Sequence, residues 1–143
     1  MIAACLIFQP QLFSLYMNAL YATTKQGTIG ELIVQLRLLE YDIQAAPPIK
    51  DSGNDLIAIR GARFRAIQVR CSVSGKINKP KKKISYHILA VVKLPKKNGR
   101  FATSKAEVYL FPQKEVDGIT GNVSKYPNNK LDDNLIAAFF PPA

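Results

Sequence analysis

Residues 55–71, DLIAIRGARFRAIQVRC, decide the fold. Two runs rich in apolar and β-branched residues, Leu56-Ile57-Ala58-Ile59 and Phe64 to Cys71, flank Arg60-Gly61-Ala62-Arg63. That is the pattern of a β-hairpin. Gly61-Ala62 predicts a two-residue loop with glycine at the first central position, as a type II′ turn requires, so that paired residue numbers sum to 123. In that register Asp55 faces Gln68, with Cβ atoms about 4.5–5.5 Å apart. Ala66, Gln68 and Arg70 then share a face, while Ile67, Val69 and Cys71 turn to the core. A loop one residue longer would move every one of these side chains to the opposite face.

Outward from the hairpin, residues Thr28 to Leu39 place Ile29, Leu32, Ile33, Leu36 and Leu39 on one stripe and predict an amphipathic helix. Tyr41 to Ile49, ending in Pro47-Pro48, reads as a short edge strand. Ile84 to Leu94 reads as a strand with a buried run at Ile88 to Val92, and Glu107 to Phe111 as its partner across a tip holding Pro95, Asn98 and Gly99. Asp132 to Phe139 reads as a short capped helix closed by Pro141-Pro142. The expectation is an α/β sandwich forming a single domain over residues 17–143. Residues 1–16, MIAACLIFQPQLFSLY, read as an apolar extension dispensable for folding. Their longest apolar run, Met1 to Phe8, is far below the roughly 18 residues of a membrane span, so no membrane partner is expected. A basic start and a small-residue cleavage site, the marks of a signal peptide, are missing as well.

The 143 residues carry 20 Lys+Arg against 10 Asp+Glu, a net charge of +10. Acids and bases cancel outside residues 76–105, which hold Lys76, Lys79, Lys81, Lys82, Lys83, Lys93, Lys96, Lys97, Arg100 and Lys105 and no acid. Such a block is the footprint of a polyanion site rather than a solvated face. Lys79, Lys81, Lys82 and Lys83 are expected to grip a phosphate backbone. The hairpin of Lys93 to Tyr109 is expected in the major groove of double-stranded DNA, which admits a two-stranded ribbon, with Lys96, Lys97, Arg100 and Lys105 reaching phosphates or base edges. The two cysteines, Cys5 and Cys71, form no C-x-x-C pair. They exclude a zinc ribbon and a disulfide scaffold and suit a reducing, cytoplasmic setting. The single histidine, His87, removes any site built on a histidine cluster. It reads as a satisfied strand residue, and Cys71 as a small core hydrophobe.

The hairpin face gathers a carboxylate, an amide oxygen and a permanent cation: Asp55, Gln68 and Arg70. Two oxygen donors opposite one another on adjacent strands can hold a hard divalent cation, Mg2+ being the natural candidate, with water and substrate phosphate completing its shell. Taken alone, the pattern is weak, because any solvated hairpin face shows acids, amides and arginines.

Three stretches together are more specific: Gly27-Thr28-Ile29-Gly30-Glu31 on the helix, Asp51-Ser52-Gly53-Asn54-Asp55, and Gln68-Val69-Arg70. Over roughly residues 25–115 their order resembles the PD-(D/E)XK nuclease superfamily, and within it the small homing endonucleases of cyanobacterial group I introns, which show Gln where most relatives have Asp or Glu. The resemblance implies a restriction-endonuclease-like core, a mixed central sheet flanked by helices with a basic DNA-binding hairpin, and a Mg2+-dependent, sequence-specific homing endonuclease acting on double-stranded DNA. It implies catalytic roles for Glu31, Asp55, Gln68 and Arg70. Glu31 would complete the site from the helix, Asp55 would be the central metal ligand, Gln68 would replace the second carboxylate, and the metal set would be Asp55, Gln68 and Val69. One position departs from the family pattern, since Arg70 stands where the motif has lysine. Arginine stays charged and cannot act as a base, although it can stabilise a phosphorane. A slow enzyme, a degenerate one and an impaired variant all fit that substitution.

Two other functions compete: a non-catalytic DNA-binding module on the same scaffold, and an RNA-binding protein of ribosomal character. For the enzyme, one site per chain implies a homo-oligomer, dimer or tetramer, to cut both strands. Ile2 to Tyr16 and Leu135 to Phe140 are the apolar surfaces expected to mediate it.

Overall fold

The computed structural model describes residues 21–50, 53–81 and 83–142. The proposed extension of residues 1–16 therefore lies outside the described residues. Helix α1 (Ala22–Leu39) precedes strands β1 (Gln44–Ala46), β2 (Leu56–Arg60), β3 (Arg63–Ser72), β4 (Ile88–Lys93), β5 (Lys96–Lys97), β6 (Arg100–Phe101) and β7 (Glu107–Pro112), and helix α2 (Asp133–Phe139) follows. Five strands form one sheet in the order β1-β2-β3-β4-β7, and β5 and β6 form a separate two-stranded ribbon. The pairings are antiparallel except between β3 and β4, which run parallel. This is a mixed α/β fold.

The hairpin register is the one the turn predicts. Arg60 pairs with Arg63 and Leu56 with Ile67, and Gly61 takes φ +59°, a conformation glycine supplies without steric cost. The parallel β3–β4 pair needs a long return connection. Residues 73–87, which include much of the lysine-rich stretch, provide it.

Alternation then sorts the sheet into two buried layers. Leu56, Ala58, Ile67, Val69, Ile88, Ala90, Val92, Val108 and Leu110 pack with Ile33, Val34 and Leu38 of α1 and with Ile136 and Phe140 at α2. On the opposite side Leu89, Val91, Tyr109 and Phe111 are covered by Ile77, Tyr86, Val116, Ile119 and Val123. These covering residues come from the β3–β4 connection and from the 3-10 turns after β7. The full burial of Ile88 to Val92 follows from this double cover.

Three expectations need correction. The helix begins six residues before Thr28, so Glu31 sits mid-helix and not in a first turn where the helix dipole would favour an acid. The predicted single stripe is split: Ile33 is buried and Ile29 partly so, whereas Leu32, Leu36 and Leu39 are more than half exposed. Finally, Leu135 to Phe140 is no open docking surface. Ile136 and Phe140 are buried, Leu135 and Phe139 pack against them, and Asp132 caps the helix through the Leu135 N–H at 2.8 Å.

Candidate metal and phosphodiester site

Strand β2 starts at Leu56, opposite Ile67, while β3 continues to Ser72 with β4 on one side only. From Val69 onward the other edge of β3 has no strand partner among the described residues. Asp55 stands in a bend just before β2 and fills the gap. Its N–H donates to the Ile67 carbonyl at 3.0 Å. Its carboxylate Oδ2 accepts from the Val69 N–H at 2.6 Å and from the Gln68 side-chain amide at 2.5 Å. Asp55 thus substitutes for the missing ladder, and charge-assisted bonds of this kind are the strong ones.

Helix α1 closes the other wall. Gly30 lies so near β3 that a Cβ built there would meet the Cys71 Cβ at 2.7 Å, and this close approach requires glycine. Glu31 follows directly and lines a cleft of about 290 Å³ with Thr23, Gln26, Gly27, Asp55, Val69, Arg70 and Cys71. The Glu31 carboxyl is held above the usual carboxylate range, first by partial burial and second by the negative charge of Asp55. The helix acid and the hairpin acid therefore meet across this cleft.

Arg70 joins them on the cleft wall, and its Nη1 donates to the Val69 carbonyl at 3.1 Å. Its charge also acts on Tyr86, where it opposes the rise that burial and Asp117 impose on that hydroxyl.

Gln68 is placed differently from the expectation. It is 3% exposed, sealed under the second buried layer, and its amide nitrogen faces Asp55. Ala66 is buried beside it. The site is accordingly an edge cleft and not a solvated sheet face, because the segments after β7 cover the face that alternation alone would leave open. Gln68 holds Asp55, and the Val69 carbonyl lies on the same strand edge as its N–H, where Val69 lines the cleft.

The donors present fit a hard divalent ion: two carboxylates from different elements with a main-chain carbonyl beside them suit a magnesium-like ion that keeps several waters. Among the described residues no cluster of three or more His, Cys, Asp or Glu could hold a metal without such help. Burial pushes the Cys71 thiol up to about 11, so without a metal it is uncharged at neutral pH.

Sequence reasoning missed Thr23, Gln26 and the cleft position of Cys71. Gly27 lies inside a quoted motif, but nothing in the pattern marks Gln26. His87 is satisfied as anticipated, though it lies in the bend just before β4 and not in a strand: its Nδ1 accepts from the Ala66 N–H at 2.9 Å while its ring meets Phe64 edge-on.

The basic residues divide into three groups. Lys96, Lys97 and Arg100 lie exposed on the β5–β6 ribbon, whose tip residues Asn98 and Gly99 take φ +51° and +74°, the pair a type I′ turn requires. Lys96 Nζ sits 4.9 Å from the centre of the Phe101 ring. Lys105 ends the 3-10 turn that follows and faces a different cleft, beside Glu40, Tyr41 and Glu107. Lys79, Lys81 and Lys83 are exposed on the β3–β4 connection, with Lys79 Nζ donating to the Asp117 carbonyl at 2.8 Å. Lys82 lies outside the described residues. Among the described residues, no helix is long and apolar enough to cross a membrane.

No family model matches the sequence, and no curated protein matches it. Among solved structures the chain is similar to a bacterial homing endonuclease, I-Ssp6803I, at 14% sequence identity and a TM-score of 0.52, over 71% of this chain and 73% of that one. At that identity the likeness shows a shared fold, a homing-endonuclease-like arrangement of helix and mixed sheet.

Proposed function

We propose that the chain is a Mg2+-dependent endonuclease of double-stranded DNA, of the PD-(D/E)XK type and of homing character, working as a homo-oligomer. The observation that carries this reading is the meeting of Glu31 and Asp55 at the unpartnered edge of β3, beside the Val69 carbonyl and the Arg70 guanidinium. Glu31, Asp55 and the Val69 carbonyl are the groups that would hold the ion. When bound, the ion supplies positive charge against the reacting phosphate and acidifies water. The protein's own residues do the rest. Gln68 and the Val69 N–H orient Asp55, and Arg70 offers a fixed positive charge to the phosphorane. The β5–β6 ribbon and the lysines of the β3–β4 connection bind phosphates and so hold the duplex over the cleft. The same fold in a bacterial homing endonuclease supports the reading.

The test is cleavage of supercoiled plasmid DNA in Mg2+ and in EDTA, with Asp55→Asn and Glu31→Gln variants whose folding is verified. Metal-dependent nicking or linearisation that both variants lose supports the enzyme; equal cleavage by the parent and both variants overturns it.

A second reading, a DNA-binding module without catalysis, is favoured by one observation. Arg70 is tied to the Val69 carbonyl and cannot give up a proton to become a base. Salt-sensitive duplex binding with no cleavage under any divalent metal would select that reading.

A further inference from the structure

We infer that Gln26 is a positioning residue of the cleft: its side-chain amide locks α1 to the unpartnered edge of β3 and so sets how closely Glu31 approaches Asp55. The carbonyl of Cys71 lies on the same strand edge as the Val69 N–H, beyond the end of β2, where the ladder offers it no partner. Gln26 Nε2 donates to it at 2.7 Å. A partly buried carbonyl left without a partner is destabilising, so this bond is not incidental to the packing.

Gly30 touches the same residue, with the notional Cβ 2.7 Å from the Cys71 Cβ. Gln26 and Gly30 are one helical turn apart on the same face of α1. Two contacts at this spacing on a single strand residue oppose both rotation of the helix about its axis and sliding along the sheet. Glu31 follows Gly30 and is turned about 100° further round the helix, off the sheet and into the cleft. Its direction is therefore a consequence of the Gln26 and Gly30 contacts. Among the described residues, Tyr21 at the N-cap position makes no side-chain capping bond, which leaves the Gln26 amide as the first side-chain tie of α1 to the sheet. Without the Gln26 amide, the first turns of α1 lose this tie to Cys71, and Glu31 loses part of what sets its approach to Asp55.

The consequence for metal and catalysis rests on the nuclease reading; the clamp itself does not. The full chain carrying Gln26→Met, similar in length and helix propensity but without a donor, is compared with the parent in three measurements. Calorimetric Mn2+ affinity without DNA is expected to fall about 10- to 100-fold, the usual effect of removing a group that orients a ligand. Cleavage is expected to lose kcat while KM for DNA stays unchanged. Hydrogen exchange is expected to accelerate in residues 22–31 and not in β3 or β4. A lowered Tm with Mn2+ affinity, kcat and exchange at parent values would reduce Gln26 to ordinary packing and overturn the inference.

Should Gln26→Met fail to fold, Gln26→Lys keeps an N–H donor for the Cys71 carbonyl. Because its ammonium also repels a cation in the cleft, the readout for that variant is hydrogen exchange: parent-like protection of residues 22–31 supports the clamp, and accelerated exchange there overturns it. If the parent itself neither binds Mn2+ nor cleaves DNA, the nuclease reading fails, and the exchange measurement alone decides whether Gln26 holds the helix.

Discussion

Gly30 of α1 and Cys71 of β3 are in such close contact that any side chain at position 30 would collide with the strand. Gly27, one turn earlier, has nothing within 4 Å of a notional Cβ. Both are mid-helix glycines, and Ala is preferred over Gly there by about 1 kcal/mol. Gly30→Ala meets a rigid Cβ, and overpacking of that kind costs about 1–3 kcal/mol, which outweighs the helix gain. The variant is expected to be less stable and to lose metal-dependent cleavage. Gly27→Ala is expected to leave stability equal or raised by up to about 1 kcal/mol. Thermal melts of the two variants check the contrast, and a stabilised Gly30→Ala would refute the packing argument.

Glu31 is an acid placed against another acid. Its folded-state carboxyl is raised by burial and by Asp55, so the native state holds a proton that the unfolded chain releases at the ordinary value near 4.5. Between that value and the raised one the native state binds more protons than the unfolded state, and stability falls as pH rises. The full benefit of protonation is present below the unfolded value. Glu31→Gln removes the charge and is expected to raise Tm at pH 7, by about 1 °C or more, while abolishing cleavage. Mg2+ is expected to raise the Tm of the parent and not of the variant, because binding to the native state alone stabilises it. A variant that is both less stable and still active would contradict the paired-acid site.

Asp55 has the opposite balance. Its removal relieves the repulsion with Glu31 but leaves the Val69 N–H and the Gln68 amide without their acceptor. The repulsion acts across a solvent-accessible cleft and is screened, whereas unmatched buried donors cost about 1–3 kcal/mol each. The hydrogen bonds win. Asp55→Ala is expected to lose about 2–4 kcal/mol. Asp55→Asn retains an oxygen acceptor and should lose less. Urea melts separate the two, and both variants should be inactive in the plasmid assay.

How much of this can be read before any coordinates is uneven, for physical reasons. The register of β2 on β3 is local, fixed by Gly61 and side-chain alternation, and Asp55 reaches Gln68 as the turn geometry requires. Asn98-Gly99 likewise announces the ribbon tip. The start of α1 is hidden because Gly27 looks like a breaker and residues 22–26 carry no apolar stripe, and only Cys71, far along the chain, explains why the helix carries glycine at position 30. Gln68 reads as a cleft residue because nothing in an alternating strand tells that Val116, Ile119 and Val123 will cover its face. Leu32, Leu36 and Leu39 repeat with the helical period yet point outward, since periodicity identifies a stripe but not what buries it.

Arg70→Lys tests whether the guanidinium limits the chemistry. Lysine can shed its proton when its pKa is depressed, and a correctly placed acid–base group contributes about 10²–10⁴-fold. The lysine variant is expected to cleave at least about tenfold faster than the parent and to gain a pH dependence that the arginine form lacks. An unchanged rate and pH profile would mean that Arg70 acts only through its fixed charge.

The β5–β6 ribbon is the part of the surface whose role is separable from folding. Lys96, Lys97 and Arg100 are exposed, and the placement of Lys96 over the Phe101 ring is worth about 0.5–1 kcal/mol at such a site. The triple alanine variant should therefore fold with nearly the parent Tm. If the three residues each neutralise a phosphate, the slope of log K against log salt should flatten by about 0.9 for each phosphate no longer neutralised, close to 2.7 in all. Alanine at Lys114 and Lys125, outside the 76–105 block, should leave the slope unchanged and serves as the control. Fluorescence anisotropy on a duplex between about 50 and 200 mM salt spans the range in which that difference is largest. A triple variant with the parent slope would place the duplex elsewhere, leaving Lys79, Lys81 and Lys83 on the β3–β4 connection as the basic group to test next.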